Sequence, residues 1–108
     1  MKKIIATLTI TFFATNIWAQ DWRDPRSRFD AKKKMSDTIQ LTWRTADNLQ
    51  QACEEESRRR GNGGFGYGLE ACSFWNIQGT ECLIITKNTT NLHELGHEVR
   101  HCFQGNYH

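Results

Sequence analysis

Apolar and polar residues alternate along DTIQLTWR, residues 37–44. Ile39, Leu41 and Trp43 fall on one side, and Thr38, Gln40, Thr42 and Arg44 on the other, which is the period of a half-buried strand. The period then changes. Through TADNLQQACEEESRRRG, residues 45–61, the apolar positions Ala46, Leu49, Ala52 and Cys53 recur at helical spacing. Thr45 or Asp47 can cap this helix and Gly61 can stop it. Its EEESRRR run reads as a solvated face whose charges suit the helix dipole. Two further apolar runs, LEACSFW at 69–75 and ECLIIT at 81–86, are joined by NIQG and predict an antiparallel hairpin. Helical spacing returns over 91–104, where Leu92, Leu95, Val99 and Phe103 form one stripe. Asn91 can cap this last helix, Glu94 completes a capping box, and Gly105 stands where the helix would end. The order strand, helix, strand, strand, helix defines an α+β domain with two helices on a small sheet.

The first residues have a different pattern. MKK is followed by the apolar run IIATLTITFFATNIW and by Ala19, a small residue suited to signal-peptidase cleavage. Residues 1–19 are therefore expected to be a secretory signal. The protein is then exported, periplasmic or secreted, with no stable membrane insertion after cleavage. Residues 20–37 mix charges, hold the only proline and have no clear period, so a charged, partly disordered arm is expected. Residues 38–108 form the single folded domain. Removing the signal also removes the net charge: without Lys2 and Lys3 the 14 basic residues become 12, equal to the 12 acidic ones. A balanced chain creates no field that recruits nucleic acid.

Four cysteines, Cys53, Cys72, Cys82 and Cys102, follow the signal. In an exported chain an even count favours two disulfides, which would support a domain with a thin core. Cys72–Cys82 across the hairpin with Cys53–Cys102 between the helices is one pairing. Cys53–Cys72 with Cys82–Cys102 is the other main one. The loop GNGGFGYG, residues 61–68, lacks the Lys-Ser/Thr of a phosphate-binding loop. It reads instead as a flexible loop beside a cleft, with Phe65 and Tyr67 as contact residues.

All four histidines lie in NLHELGHEVRHCFQGNYH, residues 91–108. His-Glu-x-x-His occurs there twice, as His93-Glu94-Leu95-Gly96-His97 and as His97-Glu98-Val99-Arg100-His101. On a helix, residues four apart share a face, so two imidazoles reach one zinc ion. The intervening glutamate is then placed to take a proton from a metal-activated water. The two frames exclude one another, because His93 and His101 are roughly 12 Å apart along the axis. The second frame is favoured. Glu94 is occupied by capping, His93 lies in the first turn, and His108 can return past Gly105 as a third ligand. A catalytic zinc needs three protein ligands and an open position.

HEVRHCFQGNYH resembles the extended His-Glu-x-x-His-x-x-Gly-x-x-His motif of the metzincin metallopeptidases, with one extra residue before Gly105. Over 38–108 the chain resembles a minimal zincin: a small mixed sheet of about three strands, a backing helix and a C-terminal active-site helix. The resemblance implies that His97, His101 and His108 bind Zn2+ and that Glu98 is the general base. It also implies that a peptide or protein substrate pairs with the strand beside the cleft, 81–86 or 69–75. Tyr107, Tyr67 and Arg100 are the candidates to stabilise an oxyanion. The reading from a different class is a non-catalytic, disulfide-bonded module that binds zinc or a partner.

Overall fold

The computed structural model describes residues 23–108. The expected signal, 1–19, lies outside the described residues. The elements are β1 (Gln40–Ala46), α1 (Leu49–Arg59), β2 (Ala71–Trp75), β3 (Glu81–Lys87) and α2 (Leu92–Gln104), preceded by a short 3-10 turn at Ala31–Lys33. The order is the predicted β-α-β-β-α, and the domain is α+β with a three-stranded mixed sheet.

The strands lie in the order β1-β3-β2. β3 pairs parallel with β1 and antiparallel with β2, so the predicted hairpin is present. As the central strand, β3 is covered on both faces. Ile84, Ile85 and Thr86 are 0% exposed, which explains why its sequence reads as an unbroken apolar run rather than an alternation. The buried Thr86 hydroxyl is satisfied, accepting from Trp43 Nε1 at 2.9 Å and donating to the Lys87 carbonyl at 2.9 Å.

Side chains alternate across a sheet, and each face has its own helix. Cys72, Phe74 and Ile85 pack with Leu49 and Cys53 of α1. Cys82 and Ile84 pack on the other face with Cys102, Leu95, Val99 and Phe103 of α2. This division also decides the disulfides. Cys72 is in register with Ile85, and Cys82 with Trp75; the two cysteines point to opposite faces and do not bridge the hairpin. The observed pairs are Cys53–Cys72 and Cys82–Cys102, with Cα–Cα separations of 6.1 and 5.5 Å. Each ties one helix to the strand beneath it. Among the described residues no helix is long and apolar enough to cross a membrane, and two disulfides are compatible with an exported chain.

Replacing Cys82 and Cys102 together by Ser is expected to lower stability by about 3 kcal/mol, the entropy of opening a loop of this size. Urea unfolding measures it. Metal affinity should fall as well, because Cys102 adjoins His101. An unchanged affinity would mean that packing alone holds α2 on the sheet.

Two sequence expectations are corrected. The face of β1 expected to be half-buried is largely open: Leu41 and Trp43 are 45% and 53% exposed, and only Ile39 joins the core on the α2 side. α2 packs over β2 and β3 and leaves β1 uncovered. The cap of α1 is Asn48, not Thr45 or Asp47; its Oδ1 accepts from the Gln51 N–H at 3.1 Å. Thr45 and Ala46 belong to β1, in register with Thr86 and Lys87. The arm is attached to α2. Met35 N–H donates to the Phe103 carbonyl at 2.6 Å, and Gln104 Nε2 donates to the Asp30 carbonyl at 2.9 Å.

Candidate metal centre

The site is built by how α2 starts and stops. Asn91 Oδ1 accepts from the Glu94 N–H at 2.9 Å, which forms one half of the expected capping box. The Glu94 carboxylate accepts from the Thr90 hydroxyl at 3.3 Å. From this start the helical period carries His97 and His101 to one side, their ring centroids 4.9 Å apart. At the other end Gly105 N–H closes a full turn onto the His101 carbonyl at 2.8 Å. Gly105 has φ 66° and ψ −141°, a conformation open essentially only to glycine. It reverses the chain and returns His108 to the helix.

Three ring nitrogens meet there. His101 Nε2 lies 2.8 Å from His108 Nε2 and 3.2 Å from His97 Nε2, and the third side of the triangle is 3.0 Å. Both helix histidines have a partner on the far nitrogen. His101 Nδ1 is 2.7 Å from the Gly105 carbonyl, which only accepts, so Nδ1 carries the proton and Nε2 a lone pair. Tyr107 donates its hydroxyl to the His97 carbonyl at 3.2 Å, and the same oxygen lies 2.7 Å from His97 Nδ1. The hydroxyl reaches both groups and anchors the His97 ring from its Nδ1 side.

The donor set fits a metal ion. Three nitrogens at about 2.0–2.1 Å from one tetrahedral ion would sit roughly 3.3 Å apart, close to the separations observed. His97, His101 and His108 are the cluster of possible ligands found among the described residues. Burial favours the neutral, ligating form of His101 and His108. It lowers His101 to about 4, against the opposing pull of the Gly105 carbonyl and with help from His108 and Arg100. Burial, then Arg100, also lowers His108. Trp75 of β2 lies flat beneath His101, with centroids 5.5 Å apart and planes 6° apart.

The triad opens into a cleft of about 380 Å³ whose walls are α2, β2 and the glycine-rich loop. Glu98 lines the cleft and is only 7% exposed. Burial raises its carboxyl above the ordinary range; a hydrogen bond with Ser73 of β2 opposes this, and the charge of Glu94 adds to it. His93 is exposed at the border of the cleft and is not one of the three clustered rings. The cluster thus contains the histidines of the second frame plus His108.

β2 is an edge strand. Asn76 N–H bonds to the Glu81 carbonyl at 3.3 Å, so by antiparallel alternation Phe74 and Cys72 also face β3. Ala71, Ser73 and Trp75 then turn their backbone N–H and C=O groups outward, along the cleft. β3 is paired on both sides and has no edge to offer, which excludes 81–86 as a strand that pairs with a ligand.

Of the candidates to stabilise an oxyanion, Tyr107 is engaged with His97, and its hydroxyl is pushed up to about 12, chiefly by burial. Arg100 lies between the rings of Phe29 and Tyr107, 3.9 and 3.8 Å from their centroids. Tyr67 is in the cleft wall. Sequence reasoning did not single out Ser73 and Trp75. Both lie on the α2 side of β2, and strand alternation would have identified them once α2 was assigned to that face.

Changing Tyr107 to Phe removes one hydroxyl and leaves the ring beneath Arg100. Metal affinity should fall about 10–100-fold, the usual cost of losing a partner that orients a ligating histidine. A chelator competition measures it, and an unchanged affinity would show that Tyr107 does not orient His97.

No protein-family model, curated protein or solved structure matches the chain.

Proposed function

We propose that the protein is an exported zinc-dependent metallopeptidase of zincin-like design, acting in the periplasm or outside the cell. The observation that carries this reading is a juxtaposition. Three converging imidazoles, a buried carboxylate and a strand edge that is unpaired among the described residues share one cleft. Neutral imidazole donors suit zinc, and three protein ligands leave the open position that hydrolytic zinc sites need. When bound, zinc acts as a Lewis acid that polarises a peptide carbonyl and makes water acidic near neutral pH.

The chain supplies the rest. Extended substrate lies along β2, with its backbone paired to the outward groups of Ala71, Ser73 and Trp75. Glu98 takes the proton of the attacking water on a carboxylate oxygen and passes it to the leaving nitrogen. Its raised affinity for a proton brings it nearer the pH at which it works, and that match is what proton transfer in both directions requires. Ser73 holds the carboxylate against β2, and so beside the scissile bond. The Gly105 carbonyl keeps His101 in the ligating tautomer, and Tyr107 holds the His97 ring in place.

The test is turnover of an unstructured protein substrate by the zinc-loaded wild type and by Glu98→Gln. Cleavage by the wild type that is lost in the variant supports the proposal. No cleavage by either, with zinc bound to both, leaves the disulfide-bonded zinc-binding module as the function.

A further inference from the structure

The loop between α1 and β2 takes no part in the chemistry above, yet it is held at both ends. Ser57, 5% exposed, donates its hydroxyl to the Gly63 carbonyl at 2.6 Å. Gln50 donates to the Tyr67 carbonyl at 3.0 Å and accepts from the Leu69 N–H at 2.8 Å. A Cβ on Gly64 would lie 2.8 Å from Glu54 Oε2, so the loop backbone sits directly on α1. Phe65 packs edge-on against Phe74 at 6.3 Å and against Tyr67 at 6.0 Å. Tyr67 stays 66% exposed although its backbone is fastened on both sides. An exposed aromatic ring on an immobilised backbone is a preorganised contact surface, and both rings line the cleft of the histidine triad.

The sheet determines what meets that surface. A peptide added to the β2 edge projects alternate side chains to the two faces. Those on the α2 side point toward Glu98 and the triad. Those on the α1 side run toward Phe65, which packs in the α1-side core. We propose that Phe65 and Tyr67 form a side-chain subsite that selects extended peptides bearing an apolar or aromatic residue at the position facing α1. This rests on the peptidase reading for its substrate. The wall offers ring faces and edges and buries an apolar side chain against them. A carboxylate at the same place would give up water for aromatic carbon.

The experiment measures binding of blocked, dye-labelled hexapeptides to zinc-loaded Glu98→Gln protein, with Phe, Leu, Ala or Asp at one central position. Phe and Leu peptides should bind about tenfold tighter than the Asp peptide, in the range a hydrophobic pocket discriminates. Adding Tyr67→Ala should bring the peptides nearly level, while Tyr67→Phe should keep the preference. Equal binding of all four peptides, no binding of any, or a preference that survives Tyr67→Ala overturns the subsite. Wild-type protein with the same peptides separates the two proposals. A preference in binding without cleavage leaves the subsite standing and ends the peptidase reading. Cleavage indifferent to the central residue does the reverse.

Discussion

His101→Ala and His108→Ala should each lose the bound zinc through desalting, while His93→Ala keeps it. The donor triangle explains the contrast. His101 is 8% exposed, and its Nε2 lies within 3.2 Å of both other Nε2 atoms, so its removal leaves a pair that cannot surround an ion. The loss should exceed the roughly 10–100-fold typical of losing a partner that only orients a ligand. His108 gives the cleaner measurement. It is exposed, so its truncation disturbs no core. His101 also covers Trp75, and its truncation leaves a gap there. Circular dichroism alongside metal analysis separates loss of metal from loss of fold. If His93→Ala emptied the site and His101→Ala left it full, the first His-Glu-x-x-His frame would hold the metal.

The second large effect concerns rate rather than binding. Glu98→Gln should lower peptide-bond turnover by about 10²–10⁴, the usual share of a positioned acid–base group, with zinc content unchanged. Gln preserves the volume and can still pair with Ser73 through its amide oxygen. It cannot accept and return a proton. Because burial disfavours the Glu98 carboxylate, the neutral amide should not weaken the fold. A steady-state assay with quenched-fluorescence peptides reads the rate, and full activity in the variant would remove Glu98 from the mechanism.

Patterns confined to one element were legible in the sequence, and relations between elements were not. The CLII run marked a strand, and only the pairing made β3 central and buried on both faces. The alternation through Ile39, Leu41 and Trp43 correctly grouped residues on one face. It carried no information on whether a helix would lie over that face, and α2 covers β2 and β3 instead. Cysteine spacing allowed three pairings. Only the strand register, which sets Cys72 and Cys82 on opposite faces, together with the helix that covers each face, selects among them. The same division runs through the site. His97 and His101 follow from helical period alone, and Gly105 marks the reversal that returns His108. That the Gly105 carbonyl and Tyr107 hold the rings of His101 and His97, that Trp75 lies beneath His101 and that Ser73 meets Glu98 all depend on contacts that no local spacing encodes.

The two disulfides follow one another along the chain without interlacing, since the 53–72 loop closes before Cys82 begins the next. A polypeptide that enters an oxidising space N-terminus first therefore meets its cysteines in the order in which they pair. Cys53 and Cys72 can join as soon as both are across, when no competing thiol has yet arrived. Cys82 then has only Cys102 to wait for. Correct pairing is thus available to simple sequential oxidation, with no isomerase needed to undo a wrong bond, and α2 is the last part to be secured.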